Sequence, residues 1–176
     1  MMNYFELFNL PIVFELDQTA LTTTWQTLQQ LTHPDKFATA RDAEKLAMVQ
    51  KNAQVNDAYQ VLKSPMRRAE HMLELRGVEL QHEQKTMQDM AFLMQQMEWR
   101  EQLEDIPVNE VGLDQLEDMD DEVQAQIKQH LQTLKSLLEQ HSDEANQKSA
   151  DEIRKLKFMY KLREEIASKE DAINDL

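Results

Sequence analysis

Leu31-Thr32-His33-Pro34-Asp35-Lys36-Phe37 is the stretch that decides the fold. Before it, between Asp17 and Thr32, Leu21, Trp25, Leu28 and Leu31 recur at spacings of three and four, as on one side of an amphipathic helix. After it, a longer helical pattern runs from about Arg41 to Leu62. Leu46, Val49, Ala53, Asn56 or Ala58, and Tyr59 or Leu62 mark its expected inner face. Proline disfavours the helical conformation in the residue before it, so His33 should end the first helix. Pro34 and Asp35 then sit in an exposed turn between two antiparallel helices, an αα-hairpin. That turn holds an imidazole and a carboxylate close together beside a ring that cannot flex.

Working outward, Tyr4 to Leu10 is a short apolar segment ended by Pro11, enough for one or two helical turns. Asp17 is placed to cap the first hairpin helix, and Thr39 with Asp42 approximates a capping box for the second. Ser64-Pro65 pairs an N-cap with proline at the first helical position, opening a helix that runs to Leu75 and is closed by Gly77.

Charge changes at that glycine. Residues 1–76 hold 8 Lys/Arg against 9 Asp/Glu, whereas residues 77–176 hold 11 against 24. The step predicts a first domain over 1–76, a linker over 77–83 and a second domain over 84–176. In the second, helical patterns run from about Glu83 to Asp105, Leu113 to His141 and Glu144 to Lys169, the last capped by Asp143. Leu116, Val123, Ile127, Leu131, Leu134 and Leu138 form one stripe; Ile153, Leu156, Met159, Tyr160, Leu162 and Ile166 form another. Short loops between amphipathic helices predict an antiparallel three-helix bundle. The expected fold class is all-α.

The composition excludes several functions. A net charge of −14 offers no basic footprint for nucleic acid. No apolar run approaches the length of a membrane span. The chain has no cysteine, hence no disulfide, thiolate ligand or cysteine nucleophile. The first forty residues lack arginine and are interrupted by Glu6, Glu15 and Asp17, unlike a mitochondrial presequence, so a cytoplasmic location is expected. His33 and Asp35 have no nucleophile or metal-ligand spacing beside them, so neither an enzyme nor a metal or cofactor site is expected. His71, His82, His130 and His141 are scattered and read as surface or boundary residues. The acidic run from Asp114 to Glu122 lacks the glycine and spacing of a calcium loop and reads as a solvated helix start.

The helix ending at Asp105 carries two apolar stripes. Phe92, Trp99, Leu103 and Ile106 fall on one side, and Met87, Met90, Leu93, Met94 and Met97 on the other, with Glu98 and Glu101 among them. A helix enclosed within its own bundle would explain both stripes. A partner docking on the methionine side explains the carboxylates as well, since unpaired buried charge is costly.

The His33-Pro34-Asp35 loop between matched helices resembles the J-domain family. Asn3-Tyr4-Phe5-Glu6-Leu7-Phe8, Lys36-Phe37 and Ala91-Phe92-Leu93-Met94 are similar to its HscB branch, and the resemblance spans essentially the whole chain. It implies a J-domain, an antiparallel hairpin flanked by short helices, followed by a bundle. It implies a co-chaperone of iron-sulfur cluster assembly that stimulates the ATPase of an HscA/DnaK-class chaperone through His33, Pro34, Asp35, Lys36, Arg41 and Lys45. It also implies binding of an IscU-type scaffold through Leu93, Met94, Met97, Glu98 and Glu101, with Phe158 supplied from the last helix. Met97 stands where the family often has leucine. The helix before the loop lacks the usual basic residues, and Thr32 replaces the common tyrosine, which leaves Lys36, Arg41, Lys45 and Lys51 to supply positive charge. A general J-domain adaptor with a different client is the alternative. Self-association is possible on this composition, but nothing indicates it.

Overall fold

A computed structural model describes residues 1–80 and 89–176, and the described residues are helical with no strand. They form two compact units, Met1–Glu79 and Leu80–Leu176. The start expected at Glu83, the later part of the expected linker, His82 and Met87 lie outside the described residues.

The first unit contains α1 (Tyr4–Leu7), α2 (Gln18–Thr32), a 3₁₀ turn (Pro34–Phe37), α3 (Asp42–Lys63) and α4 (Pro65–Leu75). Its helix ends follow local chemistry. Asp17 accepts from the Ala20 amide at 3.1 Å, and Ser64 accepts from Arg67 at 3.4 Å. Gly77, at φ 79°, closes α4 as a Schellman motif: its amide reaches the Glu74 carbonyl and that of Val78 the Leu73 carbonyl, both at 3.0 Å. Thr39 does not cap α3. The N-cap is Arg41, which makes no side-chain cap bond and pairs with Glu44 at 2.9 Å.

Leu21, Val55, Ala58 and Leu62 close the hairpin core, with Phe5 and Phe8 from the α1 region and Ala69, Met72 and Leu73 from α4. Burying each large apolar side chain contributes about 1.5–3 kcal/mol before entropy is counted. The apolar face expected near the bend is displaced. Leu31, Leu46 and Val49 are 56, 59 and 48% exposed, and Ala53 is exposed too. Polar side chains occupy the α2–α3 interface there, and the buried face of α3 is confined to its later half.

His71 is another correction. It is buried, its ring stacked 4.6 Å from that of Tyr4, and its Nε2 accepts the Tyr4 backbone N–H at 3.1 Å. Burial lowers its pKa from the ordinary 6.5, against a smaller opposing pull from Glu74.

The second unit is an up-down-up bundle of α5 (Met90–Asp105), α6 (Glu110–Leu138) and α7 (Asp143–Asn174). Lys155 pairs with Asp89, Arg100 with Glu165, and Lys169 donates to the Leu103 carbonyl, so α5 and α7 run the same way. Arg163 with Asp120 and His130 with Glu152 set α6 antiparallel to α7. Asp120, in the expected solvated acidic run, is thus a half-buried ion-pair partner. The expected stripes form the core, with Met119 added and with Leu131 and Tyr160 only half-buried. Asn109 caps α6, which begins at Glu110, three residues ahead of the expected Leu113, and Ser142 rather than Asp143 caps α7 by accepting from Ala145 at 3.1 Å. Gly112 is required for close approach. A Cβ there would lie 1.9 Å from the Pro107 carbonyl oxygen.

Two outcomes follow from these contacts. Gly112→Ala should destabilise the bundle by about 1–3 kcal/mol in urea unfolding, despite the ~1 kcal/mol that alanine gains over glycine inside a helix. Unchanged stability would mean the corner opens freely. For His71, the folded value lies below the unfolded one, so the unfolded chain binds the proton first and stability falls as pH drops below about 6.5. Comparing urea midpoints from pH 7.5 to 5, His71→Gln should show a shallower acid loss than the parent chain. Equal slopes would discount the His71–Tyr4 contact.

Candidate functional site

The first candidate site is the bend after α2. His33 leaves the helix in an extended conformation, φ −63° and ψ 132°, as the following proline requires. Its Nδ1 accepts the Asp35 backbone N–H at 3.2 Å, and the Lys36 amide bonds the His33 carbonyl at 3.1 Å. The His33 and Asp35 side chains are 54 and 92% exposed, with 3.6 Å between Nδ1 and the carboxylate. Thus the backbone is pinned while both functional groups face water. Pro34, Lys36 and Arg41 are also exposed, and Lys45 is half-buried.

Beneath the bend lies the polar seam that displaced the apolar face. Thr32, immediately before His33, donates from Oγ1 to the Leu28 carbonyl at 2.7 Å and accepts from Asn52 Nδ2 at 2.9 Å. Asn52 Nδ2 also donates to Gln29 Oε1 at 3.0 Å, and its Oδ1 accepts from Asn56 at 3.3 Å. Asn56 Oδ1 accepts from Gln29 and, at 3.1 Å, from the Trp25 indole, whose ring stacks on Tyr59. The seam couples the last two turns of α2 to the middle of α3.

The second candidate site is the outward face of α5. Met90, Met94 and Met97 are 68, 60 and 71% exposed, Glu98 and Glu101 are exposed, and Leu93 is half-buried. The opposite stripe of Phe92, Trp99, Leu103 and Ile106 is buried. The two stripes therefore have different fates, and α5 is not enclosed. Asp89 starts the helix by accepting from the Phe92 amide at 3.0 Å. A hydrogen bond from Lys155, with that from Phe92, holds the Asp89 carboxyl below the usual carboxylate range.

Phe158 is placed differently from the other five. It is half-buried on α7 against the inward stripe, stacked 6.3 Å from Trp99 and edge-on to Phe92 at 5.9 Å. The Arg100 guanidinium lies 5.2 Å over its ring and pairs with Glu165. The sequence reading missed Arg100. Its position beside Trp99, at the border between the stripes, was the only available signal.

An αα-hairpin with an exposed His-Pro-Asp bend, followed by a helical bundle, defines a J-domain co-chaperone. The family model described as "HSCB C-terminal oligomerisation domain" matches residues 88–167. The chain is 64% identical over 174 residues to the co-chaperone protein HscB homolog of Pseudoalteromonas atlantica, covering 99% of each. Its fold is similar to chaperone HscB from Vibrio cholerae, with TM-score 0.86, 45% identity and coverage of 98% of this chain and 99% of that one. Human co-chaperone protein HscB gives 0.87 at 27% identity, covering 97% of this chain and 83% of that one. The chain belongs to the HscB family of co-chaperones.

Proposed function

We propose that the chain serves iron-sulfur cluster assembly in the cytoplasm, carrying an IscU-type scaffold to an HscA/DnaK-class chaperone. Residues 1–76 act as the J-domain, 77–83 as linker and 84–176 as the scaffold-binding domain. The observation that carries the reading is the bend: a pinned backbone presenting His33 and Asp35 to solvent. His33, Pro34 and Asp35, with Lys36, Arg41 and Lys45 alongside, meet the chaperone and promote hydrolysis of its ATP, which locks it onto the scaffold. The catalytic groups belong to the partner. This chain contributes a positioned surface, so the purified chain has no ATPase of its own.

Leu93, Met94, Met97, Glu98 and Glu101 hold the scaffold. Methionine's unbranched thioether adapts to irregular surfaces. The two carboxylates keep the face wet until a partner covers it. Phe158, with Arg100 over its ring, supports the far side of α5 and contributes through that packing.

In single-turnover hydrolysis by an HscA-class partner, His33→Gln should abolish stimulation while leaving the melting temperature of the chain unchanged. Undiminished stimulation would refute the role of the bend. Alanine at Leu93, Met94 and Met97 together should weaken scaffold binding by about 2–5 kcal/mol in calorimetric titration. Parental affinity in that variant would move scaffold binding elsewhere.

A further inference from the structure

The sulfur atoms of this chain are unevenly placed. Beyond Met1 and Met2, the exposed methionines among the described residues are Met90, Met94 and Met97. Met48 and Met66 are half-buried, and Met72, Met119 and Met159 are buried. Positions 90, 94 and 97 follow the i, i+4, i+7 spacing that puts side chains on one helix face. With no cysteine in the chain, no thiol competes for an oxidant. Among the methionines of the described helices, a mild two-electron oxidant therefore meets this face first, because susceptibility follows exposure. Leucine would supply similar apolar area and helix propensity; methionine adds adaptability and an oxidisable sulfur.

We propose that Met90, Met94 and Met97 form a reversible modification site, at which oxidation by hydrogen peroxide releases the scaffold from α5. This rests on the docking reading above. In each event a sulfur lone pair attacks one peroxide oxygen and the O–O bond breaks. Sulfur loses two electrons, the oxygen stays as sulfoxide, and the other oxygen departs as water. A thiol-dependent methionine sulfoxide reductase returns the thioether, with water as product and a disulfide on the reductant. A sulfoxide is a strong acceptor, and a docked apolar partner would strip its water without replacing the hydrogen bond. The switch leaves the fold intact, since the stripe that packs the bundle is Phe92, Trp99, Leu103 and Ile106.

The test treats the full chain with hydrogen peroxide, maps oxygen addition by peptide mass, and titrates the product against an IscU-type scaffold. The expected map shows Met90, Met94 and Met97 oxidised before Met72, Met119 and Met159. Binding should weaken about tenfold or more, with an unchanged melting temperature, and recover after reductase treatment. In a Met90→Leu, Met94→Leu, Met97→Leu variant, peroxide should leave affinity unchanged, whatever its starting value. Oxidation that spares the three residues, equal binding by oxidised and untreated chains, or a peroxide-sensitive triple variant would each overturn the inference alone. An untreated chain that does not bind the scaffold overturns the docking reading and takes the inference with it.

Discussion

The polar seam of Trp25, Gln29, Thr32, Asn52 and Asn56 is the constraint on which the first unit's presentation of its bend depends. Each hydrogen bond contributes only about 0.5–1.5 kcal/mol net, but leaving a buried polar atom unmatched costs about 1–3 kcal/mol. Such a seam discriminates between registers more than it adds stability. A one-residue slide of α2 along α3 would unmatch several amides together. The seam reaches Thr32, one residue before the extended His33, so the register of the hairpin becomes the position of the bend.

The same seam explains where the sequence was legible and where it was not. Helix existence, the Ser64 and Asp17 caps, the Gly77 stop and the core stripes of α6 and α7 all follow from local propensity and period, which need no knowledge of neighbours. The opposed stripes of α5 were equally plain, though only burial distinguished a packed side from an exposed one. Leu31, Leu46 and Val49 misled because periodicity identifies an apolar face without saying what covers it. Asn52 resembles a surface residue until its partners across the hairpin are known, whereas Asn56 was a candidate for the inner face and does lie in the seam. His71 needed Tyr4, sixty-seven positions away, to become a core residue. Phe158 belongs to a stack with Trp99 and Arg100 that no local spacing encodes.

In the bundle, charge serves orientation. Asp89–Lys155, Arg100–Glu165 and Asp120–Arg163 each join different parts of the unit at partly exposed positions, where such pairs are worth at most about 1 kcal/mol. Apolar burial stabilises the unit; the pairs choose how helices rotate about their axes. Asp89 is decisive for α5, since it both begins the helix and ties that end to α7. With the inward stripe fixed, the methionine side has one direction left to face.

The bond between the Asp35 amide and His33 Nδ1 also has a chemical polarity. A nitrogen that accepts cannot carry the hydrogen of a neutral imidazole, so the hydrogen resides on Nε2. The bend is therefore a two-pole connector, an N–H on one side and a carboxylate on the other. A complementary surface would set a lone pair against the first and a donor against the second.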